Sequence, residues 1–336
     1  MRAIACLIVL LTHVLQLSNY KPFGDYFISG GYGIDLFFML RGFLIYLTTK
    51  DGGNSKKFAV KRLFRIYPLY WVVYFAFLFY TILYLGKNYT VSLLLQNFLI
   101  LPWSDSLTTR SLIVGVAWST VFELYFYFVI FLFLFLKIKK KYAIVFLVFL
   151  PLLFKINRSL SFIELSHTSD FIVSIVGTMQ IIPFILGALI AHFNQNFKKL
   201  NNVLPSIKIV LYVLINLSFI FIQFTEYNSY KSFLICFLMF SSWLNVGNVL
   251  KINYDLYFSR FFLKIGDISF SIYLIHTLVI DALIHFCSVS NIFYLIILSY
   301  SISISLSYLT YNYIEMPFMN FAKNLVALNK KRVVIS

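Results

Sequence analysis

The chain carries little charge. Only 12% of its 336 residues are charged, 61% are hydrophobic, and the mean hydropathy is +0.86. A soluble domain carries about 25% charge. That shortage leaves no soluble domain of useful size, so the chain reads as a polytopic membrane protein. Acid is scarcer still, with 12 Asp and Glu against 28 Lys and Arg and a formal net charge of +16. The basic excess lies between apolar stretches, which points to cytoplasmic loops rather than a nucleic-acid surface. Cys6, Cys236 and Cys287 show no metal-ligand spacing, and no metal is expected. There is no Walker loop, His-Glu-x-x-His motif, Gly-x-Ser-x-Gly elbow or large extracytoplasmic loop. These absences weigh against an ATPase, a zinc protease, a serine hydrolase and a polysaccharide polymerase. The first apolar stretch has no n-region or cleavage site and is expected to be retained.

What is present is a series of apolar stretches. They predict an all-α bundle of about ten transmembrane helices at 3–20, 30–48, 66–86, 113–136, 142–156, 171–193, 206–223, 231–249, 265–286 and 292–315. A weaker run at 91–102 is too short to cross and predicts a re-entrant or interfacial piece. One transmembrane domain is expected over 1–322, followed by a short basic tail, 323–336. Twenty-one basic residues fall on one side of this arrangement and six on the other, with Arg41 inside a span. That bias puts both termini and the 49–65 loop in the cytoplasm.

Against this background, Arg2, His13, Asp35, Arg41, Glu123, His276 and Glu315 stand in or at the edge of apolar stretches. A charge at bilayer depth costs roughly 2.5–3.5 kcal/mol even on insertion scales, and such residues face a protein interior or a wet cavity. Arg2 and His13 are 11 positions apart, which leaves them roughly 20° from one helix face with a rise of about 16 Å. One helix thus carries a fixed cation at its end and a titratable base near mid-membrane. Asp35 can hold an imidazole tautomer as the third member of a triad does, or pair with Arg41. Arg41 cannot lose its proton, and Glu123 or Asp35 is its expected counter-ion. Arg62 and Arg65 are one turn apart in a basic segment and can grip one phosphorylated ligand, or serve lipid headgroups. Glu123 follows Trp118, with Tyr127 one turn further on its face. His276 sits near mid-depth in the ninth span, and Tyr311 and Glu315 share a face at the end of the tenth. Packing accounts for these last three as readily as function does. Two function classes fit the residues: an enzyme working on a phosphorylated donor, and a proton-coupled transporter with His13, Asp35, Glu123 and His276 as its relay.

The chain resembles the membrane-bound acyltransferase-3 family, which O-acetylates bacterial surface polysaccharides and related glycans. The matching pieces run in order through nearly the whole chain: Arg2 and His13 with ten residues between, Gly33-Ile34-Asp35-Leu36-Phe37-Phe38, Arg62-Leu63-Phe64-Arg65, Trp118-Ser119 with Glu123, Ser271-Ile272-Tyr273-Leu274-Ile275-His276, and Tyr313-Ile314-Glu315-Met316-Pro317. Two departures stand out. The second-helix signature usually reads Ser-Gly-Phe, where this chain has Arg41-Gly42-Phe43, and the family usually carries several residues before the first arginine. The resemblance implies a multi-pass enzyme of the bacterial cytoplasmic membrane. It implies acetyl-CoA as donor, a glycan or lipid-linked saccharide as acceptor, and no metal. Arg2, Arg62 and Arg65 would hold the donor's phosphates, and His13 would act as base or transient acyl carrier. Asp35 would orient His13, with Glu123 as a further catalytic group. Arg41, Trp118, His276, Tyr311 and Glu315 would line the pocket.

The charge bias gives a direct expectation. Reporter fusions at Ser336 and at the 49–65 segment should both report the cytoplasmic side, and an external signal at either would reverse the topology.

Overall fold

The computed structural model describes residues 1–18, 31–49, 53–101, 112–139, 141–147, 149, 181–197, 210, 212–218, 228–250, 257–287, 289 and 291–335. Among these the regular elements are helical: α1 (Arg2–Leu17), α2 (Gly31–Thr48), α3 (Ser55–Leu83), α4 (Val91–Leu99), α5 (Trp118–Phe135), α6 (Ile181–Phe197), α7 (Ser229–Leu250), α8 (Tyr257–Asp267), α9 (Ser269–His285), α10 (Ile292–Thr310) and α11 (Met316–Ile335). Among the described residues, four helices are long and apolar enough to cross a membrane: Gly31–Thr48, Ser55–Leu83, Gly115–Phe135 and Ile292–Ala327. The pair Arg260–Asp267 and Ser269–His285, bent by 71°, adds a fifth if taken together. The protein is an all-α helical membrane protein. The expected spans at 142–156, 171–193 and 206–223 lie partly outside the described residues.

The helices gather into two compact units. The first holds Met1–Thr48 and Met179–Ile304, the second Thr49–Thr178 and Ser305–Ser336.

In the first unit, α1 and α9 run parallel in a fixed register. A Cβ on Gly266 would meet Arg2 Cβ at 3.8 Å. Cys6 Sγ donates to the Ser269 carbonyl at 3.5 Å, and His13 meets His276. The last two contacts share an offset of 263 residues, so seven residues along one helix match seven along the other. Helix α2 crosses α6 with backbone on backbone. A Cβ on Gly42 would collide with the Phe184 backbone, and one on Gly187 with the Met39 backbone. Small residues at such crossings let helices approach closely where lipid offers no hydrophobic drive to associate. Tyr32, Leu36, Met39, Phe43, Ile190, Cys236 and Phe240 fill the core around the crossing.

In the second unit, α3 begins at Ser55, earlier than the span expected from 66. Asn54 caps it by accepting a hydrogen bond from the Lys57 amide at 2.9 Å. The basic segment read as a loop therefore forms the first turns of the helix. The weak run at 91–102 is the nine-residue α4, too short to cross. Its last carbonyls lack i+4 donors within the helix, and one face of α3 adds donors to three of them and to the Leu94 carbonyl further in. Tyr67 Oη donates to the Leu99 carbonyl (2.9 Å), Tyr70 Oη to Asn97 (2.6 Å), Trp71 Nε1 to Phe98 (3.0 Å) and Tyr74 Oη to Leu94 (3.2 Å). Near the chain's end, α10 passes through one π turn, Tyr311–Glu315, into α11. The expected tail from 323 is thus the continuation of a helix.

The α2–α6 crossing fixes the sign of glycine substitutions. Gly42→Ala and Gly187→Ala should each lower the thermal midpoint of the detergent-solubilised protein, at a cost of about 1–3 kcal/mol for overpacking. Gly266→Ala, where the new methyl group meets only ordinary contacts, should be neutral or stabilising. Equal effects at all three would remove the crossing as the cause.

Candidate active site

The first unit brings two histidines together. His13 Nδ1 lies 2.9 Å from the Val9 carbonyl and 3.2 Å from His276 Nε2, with ring centroids 4.9 Å apart. His276 Nδ1 lies 3.0 Å from the Ile272 carbonyl. A carbonyl only accepts, so each Nδ1 carries its proton. His276 Nε2 then presents a lone pair to His13 Nδ1–H. The remaining lone pair, on His13 Nε2, has no partner among the described residues. The arrangement fixes the tautomer of His13 and leaves its Nε2 basic. It performs the orienting task that a carboxylate performs in a triad. His276 is 1% exposed, and its ring lies 5.9 Å from that of Tyr273, which meets Phe37 of the second-helix signature at 6.1 Å.

Asp35 was the expected orienter of His13. It is 2% exposed and accepts a short hydrogen bond from Ser232 Oγ of α7, while His13 takes its contacts from Val9 and His276. The side chain beside His13 is thus the other histidine, a residue that sequence reasoning placed in the pocket and could not pair. Ser232 was missed altogether; a serine in an apolar helix gives no local signal. Arg2 stands at the start of the same helix as His13, as the spacing requires. Arg41 is partly buried, with Cζ 5.9 Å from the Phe38 ring.

The second unit holds a separate polar cluster. Tyr127 Oη donates to Glu123 Oε1 one turn earlier on α5, and both residues are buried. Arg65 of α3 is in electrostatic contact with Tyr127, Glu315, Glu123 and Tyr311. Glu315, at the end of the π turn, is 2% exposed. π turns occur often at functional sites, and this one presents Tyr311 and Glu315 to the same cation. Arg62 packs its guanidinium 5.4 Å from the centroid of Phe58 and 5.1 Å from that of Tyr127, a cation–π geometry. Trp118 opens α5 with its ring 5.9 Å from Phe122. Within its own unit Glu123 has Arg65 for a cation. No group of His, Cys, Asp and Glu among the described residues could hold a metal ion.

If Arg65 serves to neutralise the two glutamates, Arg65→Met should destabilise the protein by about 1–3 kcal/mol, the cost of a buried polar group left unanswered. Adding Glu315→Gln should restore part of the loss. A variant with full stability and a selective loss of donor binding would instead make Arg65 a ligand residue.

The comparisons follow the geometry. The family model described as "Acyltransferase domain" matches residues 1–312, which takes in both histidines, Arg65 and Glu123. No curated protein and no solved structure matches the chain. A match over this length, on an all-helical membrane protein with a paired histidine on its first helix, settles the family: the chain belongs to the acyltransferase-3 family of membrane acyltransferases.

Proposed function

We propose that the protein is an O-acetyltransferase of the bacterial cytoplasmic membrane, moving an acetyl group from cytoplasmic acetyl-CoA to a hydroxyl of a surface or exported glycan. The observation that carries this reading is His13 Nε2. It lies on the helix that begins with Arg2 and keeps its lone pair because Nδ1 holds the ring proton against the Val9 carbonyl and His276 Nε2, and general-base activation of a hydroxyl needs such an atom. His13 Nε2 takes the proton of the acceptor hydroxyl as its oxygen bonds to the thioester carbonyl carbon. The tetrahedral intermediate collapses with cleavage of the C–S bond. The CoA sulfur leaves with the proton that His13 returns. During the step the imidazolium is stabilised through Nδ1–H by the lone pair of His276 Nε2.

The donor's phosphates go to Arg2 in this reading. Guanidinium groups suit phosphate, and the rise from Arg2 to His13, about 16 Å on a straight helix, is comparable to a pantetheine arm. Arg65 faces two carboxylates and acts by keeping Glu123 and Glu315 in place. Asp35 acts by holding α2 to α7 through Ser232.

Mass spectrometry and NMR of the surface glycan from cells with and without the gene test the activity and identify the modified hydroxyl. Glycan that is identical in both would remove the reading. In purified protein, His13→Ala should lower turnover by about 10²–10⁴-fold, the range for a lost general base, with insertion and acetyl-CoA binding retained. His276→Ala should lower turnover, about 10-fold or more, without changing donor affinity. A His276→Ala variant that loses donor binding and keeps turnover would make His276 a pocket wall.

A further inference from the structure

In the second unit, apart from the Arg65 cluster, like charges converge on one surface. Lys57 and Lys61 are one helical turn apart on α3. Phe64 meets Phe318 and Phe321 of α11, with ring centroids 6.5 and 5.6 Å apart. That seam puts Lys323 of α11 in electrostatic contact with Lys61, together with Lys57 and Arg62. All three lysines are exposed. Lys323 Nζ donates to Asn320 Oδ1 at 3.1 Å. Among the described residues no carboxylate answers these ammonium groups. Like charges at this spacing repel and destabilise a helix, so the arrangement calls for an anion from outside the chain.

The neighbouring side chains identify the anion. Leu63, Phe318, Phe321 and Leu325 are exposed beside the lysines. A nucleotide or a free phosphate would use the ammonium groups and make no use of this apolar band. An anionic phospholipid uses both, with its phosphate on the lysines and its acyl chains along the band. The lysines also stand where α3 passes from its polar first turns into its apolar length, the level of a bilayer at which basic side chains meet lipid phosphates. We propose that Lys57, Lys61 and Lys323 form a site for the headgroup of an anionic phospholipid whose chains lie on the α3–α11 seam. The site does not depend on the acyl-transfer reading.

The test uses the full-length protein in nanodiscs of phosphatidylcholine carrying trace spin-labelled phosphatidylglycerol or spin-labelled phosphatidylcholine. The parent protein should hold the labelled phosphatidylglycerol in preference. Lys57→Gln, Lys61→Gln and Lys323→Gln should each lower that preference by about five-fold, the effect of one basic residue near a membrane surface. The three corresponding Arg variants should retain it. Inorganic pyrophosphate and acetyl-CoA should leave it unchanged. Unaltered preference in all three Gln variants would overturn the site. So would displacement of the label by pyrophosphate together with loss of acetyl-CoA binding in the Gln variants, which would make this a site for a soluble phosphate. Single variants are used because each retains two of the charges and does not touch the core.

Discussion

Polar groups in this protein have no water to fall back on across most of its length, so a partner inside the chain counts for more there than at a wet surface. That one constraint accounts for the arrangements in both units. The end of α4 is closed by a row of phenol and indole donors because its carbonyls would otherwise face hydrocarbon. Asp35 is tied to Ser232 and Glu123 to Tyr127 for the same reason. In the histidine pair the answer is incomplete by one atom. Three of the four ring nitrogens are engaged by carbonyls or by each other, and the fourth is left with its lone pair. The proposed general-base chemistry rests on that atom.

Holding that atom in place requires stiffness around it. The crossing of α2 and α6 has no side chain between the two backbones at Gly42 and Gly187. No rotamer there can relax, so the crossing behaves as a rigid joint. Gly42 follows Arg41, where this chain leaves the signature it otherwise resembles. The glycine is demanded by the Phe184 backbone, while the position before it is only partly buried. The structure therefore explains why Gly42 is a glycine, and it places Arg41 against Phe38.

Much of this was legible in the sequence, and the rest fails for identifiable reasons. Apolar run length marked α1, α2, α5 and α10, and the short run marked α4, because bilayer thickness is a length rule. Spacing put Arg2 and His13 on one helix and Tyr127 a turn from Glu123, because helical period is local. The beginning of α3 was misplaced because hydropathy is blind to a helix that starts in polar sequence, although Asn54 is a recognisable cap. Partners across helices were out of reach. Nothing in the segments around His13, His276, Asp35 or Ser232 states which helix will lie beside which, since that is decided by packing. Arg65 shows the same limit: its spacing from Arg62 suggests a phosphate grip, and only the fold reveals the two glutamates it faces.

The offset of 263 residues between the two histidines also has a meaning in time. At about 5–20 residues per second, a growing chain finishes His276 tens of seconds after His13. For that interval the first helix sits in the membrane with a ring nitrogen whose partner has not been made. His13 therefore has its tautomer from the Val9 carbonyl of its own helix at once, but gains the second acceptor for its Nδ1–H only near the end of synthesis, and an interrupted chain that stops short of α9 contains His13 without it.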